Sequence, residues 1–398
     1  MKKAFLVVNV VLIVFVIALL EGVAFLVIKG NLGEFDLATQ GGTTMKESMY
    51  QVWEHPANYK SWSGKTEFNQ QAFRRREDLT TPAPKNTTRI FIMGGSAAFG
   101  SQAMPGSIYL QLSGQGEYKN ELTIAAQLEQ KLNQQYPAKN FEVINAATNW
   151  SRIHQQMIHY LRKIRKLEPD LVISMDAYND STAIENNNAW SDTAKIANQT
   201  LFGNIKHEIS PIFQKSYSAY LAAMLIFRTG GSVEPDQSLL AKYSQYKMPE
   251  DFQQQLDAAA QSDKNTLDGI INEYMSSLHY FDAVLDQDKV PHMFYLQPLA
   301  VLDNNKPHTR IEKAIRGYQW SKLNTEQLTR INFFKAIEKN GRKLDSSGEI
   351  EFGSMLDIFS QVKGNVYSDY CHFTPLGNER IAEFFLKQIQ TRHPEILN

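Results

Sequence analysis

Arg89–Gly100 reads RIFIMGGSAAFG, a short apolar run that closes on two glycines, a serine and two alanines. An apolar run of this length bounded by glycine predicts a buried strand. The small residues after it predict a turn that lets the backbone approach a ligand closely. Two similar runs follow, Phe141–Asn145 (FEVIN) and Asp170–Met175 (DLVISM). Helical spacing separates them, with Ile124, Leu128 and Leu132 on one face of 123–135 and a further helix over 153–167. Strand, helix, strand, helix, strand predicts an α/β fold, a three-layer sandwich around a central parallel sheet. A fourth strand is expected at Val290–Leu296 (VPHMFYL) and helix over 311–340. The last helix should run from Pro375, a proline suited to a first turn, to Gln390.

Residues 181–288 break this rhythm. They are rich in Asn, Gln and Ala, hold helix-like stretches at 217–227 and 251–262, and read as a helical insertion beside the sheet. Residues 30–85 read as a tether and lead-in, with loop signals at Gly41-Gly42-Thr43-Thr44 and Thr80-Thr81-Pro82-Ala83-Pro84. The main domain is then 86–398.

Composition narrows the class. Of 398 residues 43% are hydrophobic and 21% charged, which excludes a largely disordered chain. Forty-one Lys and Arg balance 42 Asp and Glu, so no global basic field for nucleic acid exists. Cys371 is the single cysteine, and an intramolecular disulfide is impossible. At the N-terminus, Lys2 and Lys3 precede the apolar residues Ala4–Leu20, and the run resumes at Gly22–Ile28 after Glu21. That length predicts a membrane-spanning anchor over residues 4–28, within a segment 1–29, rather than a cleaved signal peptide. The two lysines favour a cytoplasmic N-terminus, which places residues 30–398 on the periplasmic or extracellular side.

Ser96 immediately follows the first strand, where ligands bind in open parallel sheets. A plain glycine turn is the bland alternative. A nucleotide loop is another, but neither G-x-G-x-x-G nor a G-K-[ST] ending is present. Near the C-terminus, Asp369-Tyr-Cys-His372 puts an acid and a histidine three apart, close enough to meet in a turned backbone. Such a pair orients and charges an imidazole in a serine triad, although a helix-start aspartate beside an exposed histidine is commoner. No second histidine or carboxylate cluster at ligand spacing lies nearby, so no metal is expected. Asn179 follows the third strand, and Asn145–Trp150 (NAATNW) the second. An amide and backbone N–H groups there would face the rim that carries Ser96, as oxyanion donors do. Turn or cap duty is the rival for Asn179 and Asp180.

Taken in order, these blocks resemble the SGNH/GDSL hydrolase family, over about residues 87–390. GGSAAFG, LEPDLVISMDAYND and YSDYCHFTPLGNERIA carry the resemblance. FYLQPLA with Lys306-Pro307 downstream is similar to members that have an N-terminal anchor. The resemblance implies Ser96 as nucleophile and first oxyanion donor, Asn179 as side-chain donor, and Asp369 and His372 as acid and base. It needs no cofactor. Three positions depart from the pattern: Gly95 stands in place of aspartate, Ala177 in place of a glycine, and Trp150 in place of the second-block glycine that donates to the oxyanion. Trp150 would narrow the acyl pocket or mark weakened hydrolysis.

The expected activity is that of a serine esterase on an acylated glycan or lipid outside the cytoplasmic membrane. O-acyl transfer with the same triad is the first alternative. A catalytically idle domain that binds or assembles an envelope complex is the second. His154 and His159, on different helix faces, are expected at the surface, as are the basic clusters Arg74-Arg75-Arg76 and Arg162–Lys166. Asn86, Asn149, Asn179 and Asn198 begin N-x-[ST] sequons, and modification of Asn179 would block the site, which favours a bacterial origin.

Overall fold

Alternation along the first long strand assigns each side chain to a layer. Ile90 and Ile92 join one apolar cluster, whereas Phe91 and Met93 join another on the opposite face. The computed structural model describes residues 2–32, 45–61, 64–103, 107–182, 216–219, 221–222 and 232–398. Among these, a small antiparallel hairpin pairs β1 (Lys46–Ser48) with β2 (Val52–Glu54). The main sheet comprises β3 (Thr87–Gly94), β4 (Asn140–Asn145), β5 (Leu171–Asp176), β6 (His292–Leu296) and β7 (Phe352–Ser354). Their order is β4-β3-β5-β6-β7, and every pairing is parallel. Helices cover both faces, giving the three-layer α/β architecture.

One face packs under the helices Ile124–Gln135 and Pro375–Arg392 through Leu128, Leu132, Ile381 and Phe385. The other lies beneath Ile153–Arg162, Lys264–Asp288 and Thr325–Ser347 through Tyr160, Phe281, Phe333 and Ile337. Each such buried side chain contributes roughly 1.5–3 kcal/mol relative to exposure.

Element boundaries follow local chemistry. Thr123 caps the first crossover helix, its hydroxyl accepting from Ala126 N. The helix expected over 153–167 stops at Arg162, and a 3-10 turn covers Ile164–Leu167. That expected over 311–340 divides into Arg310–Ser321 and Thr325–Ser347, because Asn324 caps the second by accepting from Gln327 N. β7 was not expected, since three residues cannot show periodicity. In the insertion, helices run over Gln237–Tyr243, Phe252–Ser262 and Lys264–Asp288. Of the stretch 217–227, residues 217–219 and 221–222 are helical, and the others lie outside the described residues, as does Asn198.

Part of the lead-in is built into the domain. Phe73 and Leu79 join one core cluster, and Tyr59 and Phe68 the other. The N-terminal helix Lys2–Leu32 contains one stretch, Val8–Gly30, long and apolar enough to cross a membrane.

Two surface expectations are corrected. His154 and His159 are both buried, the latter stacked near Phe73. Burial holds both imidazoles far below their ordinary range, at about 3. The lead-in covers His159 at Phe73, whereas His154 faces the helix Lys264–Asp288 near Ile270 and Tyr274. Arg74 is also buried, for a reason that belongs to the site.

Candidate active site

Chain order fixes where the functional loops meet. β3 lies between β4 and β5, so the connections after β3 and β4 leave in opposite directions and open a crevice at the strand ends. Three loops line it, those after β3, β4 and β5. The segment 368–372 arrives beside them, held to the loop after β6 by Ala300 N donating to Tyr370 O at 3.0 Å.

Ser96 begins the short helix Ser96–Phe99, with Gly95 as N-cap. From residue 88 to 100 it is the one position that is not buried. Two glycines make this turn possible. Gly94 has φ +144, and a Cβ there would meet Met175 O at 2.2 Å. A Cβ on Gly95 would lie 2.2 Å from Asn179 Nδ2. With the Asn179 amide where it is, position 95 has no room for a side chain.

The sequence-nominated side chains form a continuous line. His372 Nε2 lies 2.8 Å from Ser96 Oγ, and His372 Nδ1 lies 2.6 Å from Asp369 Oδ2. Asp369 Oδ1 accepts the N–H groups of Cys371 and His372, each at 2.8 Å. Burial alone would push the Asp369 carboxyl up, but the His372 charge and these donors hold it below its ordinary value. An ionised, immobilised carboxylate therefore faces the imidazole.

Asn179 is buried, and its Nδ2 donates to Ser151 O at 2.9 Å. Its amide thus touches both the Ser96 turn and the loop after β4. Trp150 sits in that loop with φ +62 and 41% of its surface exposed. Its side chain is exposed rather than buried. Asn149 is pinned on both sides, accepting from Trp53 Nε1 and from Ser101 Oγ, each at 2.8 Å. Ala177 also has positive φ, +93. Both positions where the family pattern has glycine therefore have the backbone that favours glycine, here carried by other residues at roughly 1–2 kcal/mol each.

Sequence reasoning missed three supports. Arg74 donates through Nη1 to Phe99 O and Gly100 O at 3.0 and 2.9 Å, and through Nη2 to Tyr118 O at 2.8 Å. It satisfies the end of the Ser96 turn; nothing in an Arg-Arg-Arg run distinguishes it from a solvated patch. Lys306 and Glu312 form a fully buried pair, Nζ to Oε2 at 2.8 Å. Lys306 also donates to Gly364 O, and Glu312 Oε1 accepts from Val366 N, tying the loop after β6 to the strand of chain before Asp369. The third support lies behind Asn179. Asp176 accepts from Tyr274 OH at 2.6 Å and Ser174 Oγ at 2.7 Å. Asp180 Oδ1 accepts from Ile153 N, while its Oδ2 is buried without a partner. Burial, then the Asp176 charge, push the Asp180 carboxyl up to about 8.

Asp369, Cys371 and His372 each offer a donor within 4.8 Å, the one such group among the described residues. The donors are committed, however: His372 Nδ1 to Asp369, and Asp369 Oδ1 to two backbone groups. Burial also pushes the Cys371 thiol far up, opposite to what a thiolate ligand requires.

No protein-family model matches the sequence, and no curated protein matches it. Among solved structures, an acetyl-xylooligosaccharide esterase from Geobacillus is similar at 13% identity and TM-score 0.37, covering 76% of this chain and 94% of its own. An α/β hydrolase from the metagenome of Lake Arreo, Spain, is similar at 11% identity and TM-score 0.37, covering 78% and 96%. An acetyl xylan esterase is similar at 10% identity and TM-score 0.37, covering 76% and 99%.

Proposed function

We propose that the chain is a serine esterase of SGNH type, held at the outer face of the cytoplasmic membrane and acting on an acylated glycan. The observation that carries this reading is the unbroken hydrogen-bonded line from Ser96 through His372 to Asp369. It also counts against the idle-domain alternative, since a disused triad has no reason to keep both contacts.

In the proposed reaction, Ser96 Oγ attacks the ester carbonyl as His372 Nε2 takes its proton. Asp369 stabilises the imidazolium. The N–H of Ser96 and the Asn179 amide, which touches Gly95, are the oxyanion donors. Collapse releases the alcohol, protonated by His372, and leaves an acyl-serine. Water, or an acceptor hydroxyl in the transfer variant, gives its proton to His372 and attacks the acyl carbon. The acyl–Oγ bond then breaks, His372 returns the proton to Ser96 Oγ, and the acid or new ester leaves. Metal and organic cofactor have no step in this scheme.

A glycan is favoured by Trp150. A large aromatic face exposed at the rim, on a backbone that disfavours any side chain, is well suited to stack on a sugar ring. The anchor keeps the enzyme beside acylated envelope polymers. The test is labelling by a fluorophosphonate probe, then turnover of acetylated oligosaccharides with product analysis. The native protein should label and release acetate while Ser96→Ala does neither; equal labelling of both would sink the proposal.

A further inference from the structure

Glu21 is the one charged residue between Lys3 and Lys29, inside the stretch long enough to span a bilayer. It lies nine residues before Gly30, about 13 Å along the helix from that end. A carboxylate at such depth is costly unless it is paired, by about 2.5–3.5 kcal/mol at mid-span. Its partners come from the insertion, nearly two hundred residues later. Tyr217 N donates to Glu21 Oε2 at 2.8 Å, and Ser218 N donates to the same carboxylate at 3.4 Å. The hydroxyls of Ser216 and Ser218 donate to Oε1.

The dependence is mutual. Residues 217–219 begin a helix, and backbone N–H groups at a helix start lack intrahelical partners. Water would satisfy them outside a membrane, but within hydrocarbon an acceptor must come from protein. Glu21 is that acceptor. The contact continues along one face of the anchor: Phe25 meets Tyr217 edge to face at 5.1 Å, and Ala24 and Ile28 are buried. Positions 21, 24, 25 and 28 share one helix face, whereas Val8 to Leu20 is largely exposed.

We infer that the insertion re-enters the bilayer around residues 216–219 and 221–222 and docks on the anchor through Glu21. The partner of this surface is the lipid core, and the membrane attachment has two segments. The docked segment also lies near the candidate site by chain length. Ser232 lies ten positions after Ala222, a reach of at most ~36 Å. Ser232 Oγ accepts from Gly116 N, just past the helix Ile108–Ser113, whose Tyr109 packs on Tyr370 at 5.1 Å.

The inference does not depend on Ser96 chemistry, and its test is structural. The full chain in lipid nanodiscs would carry Phe25→Cys with Tyr217→Cys, with Phe15→Cys and Tyr217→Cys as control; native Cys371 is buried and serves in both. On oxidation the first pair crosslinks and the second does not. Failure of the first pair overturns the docking. In a separate variant, the free Ala222→Cys thiol is shielded from a membrane-impermeant maleimide, and in a second sample a fluorophore attached to it with a membrane-permeant reagent is quenched by spin-labelled acyl chains. An unquenched, reactive Ala222→Cys overturns membrane entry. Glu21→Ala abolishes the first crosslink while thermal melting of the domain is unchanged; a crosslink that persists in that variant overturns the role of Glu21.

Discussion

The side-chain nitrogen of Asn179 occupies the space that a Cβ on residue 95 would need, 2.2 Å from it. Nucleophile turn and candidate oxyanion donor are therefore fitted to each other across the β3–β5 seam. Gly95→Ala should displace the amide and lower kcat by about 10²–10³, the usual loss for one oxyanion donor. Thermal stability should change little. Steady-state kinetics on a short acyl ester would check this, and undiminished kcat would refute the steric coupling.

Asp369 both orients His372 and carries negative charge held by backbone donors. Asp369→Asn keeps the shape and removes the charge, so kcat should fall about 10⁴-fold while substrate KM is retained. Pre-steady-state acylation measured by stopped flow distinguishes this from a folding defect.

Trp150 has the opposite profile. Substituting glycine relieves the positive φ but adds unfolded-state entropy of roughly 0.5–1 kcal/mol, and the two nearly cancel. Trp150→Gly should melt like the native protein, hydrolyse a small aryl acetate normally, and show a raised KM on an acetylated oligosaccharide. An unchanged oligosaccharide KM would remove Trp150 from substrate binding.

The Lys306–Glu312 pair is completely buried. Glu312→Ala leaves the ammonium uncompensated and should cost about 3–5 kcal/mol. Chemical denaturation would register it. A double variant in which Lys306→Met accompanies the change should recover much of the loss.

Stability should depend on pH through Asp180. Its folded value, about 8, lies above the ordinary 3.8, so its contribution is complete below 3.8 and is lost as pH rises through about 8. Asp180→Asn should flatten that alkaline decline in a melting series. His154 and His159 act at the other end. Their folded values near 3 lie below 6.5, so stability present above 6.5 falls as pH drops toward 3.

Much of the scaffold was legible because strands buried on both faces read as continuous apolar runs, as in β3 and β5. The loops holding Ser96, Asn179 and the Asp369–His372 pair were visible because each abuts such a run or a helix start. What stayed hidden was the support. Glycine announces positive φ, but Trp150 and Ala177 adopt it without announcing it. Arg74 and the buried histidines look polar in sequence, and only tertiary contacts, with the lead-in at His159 and with the helix Lys264–Asp288 at His154, cover them. Lys306, in a loop, and Glu312, in the first turn of the next helix, are six apart, and their role depends on Gly364 and Val366, which come from elsewhere in the chain.

Ser96 and its hydrogen-bonded histidine are 276 positions apart. During synthesis the serine emerges long before His372, and the histidine is positioned only when the segment before the last helix has docked. A nascent or C-terminally truncated chain therefore carries a serine with no base beside it. On the proposed reading of the site, Ser96 therefore gains its base only once the C-terminal segment has folded.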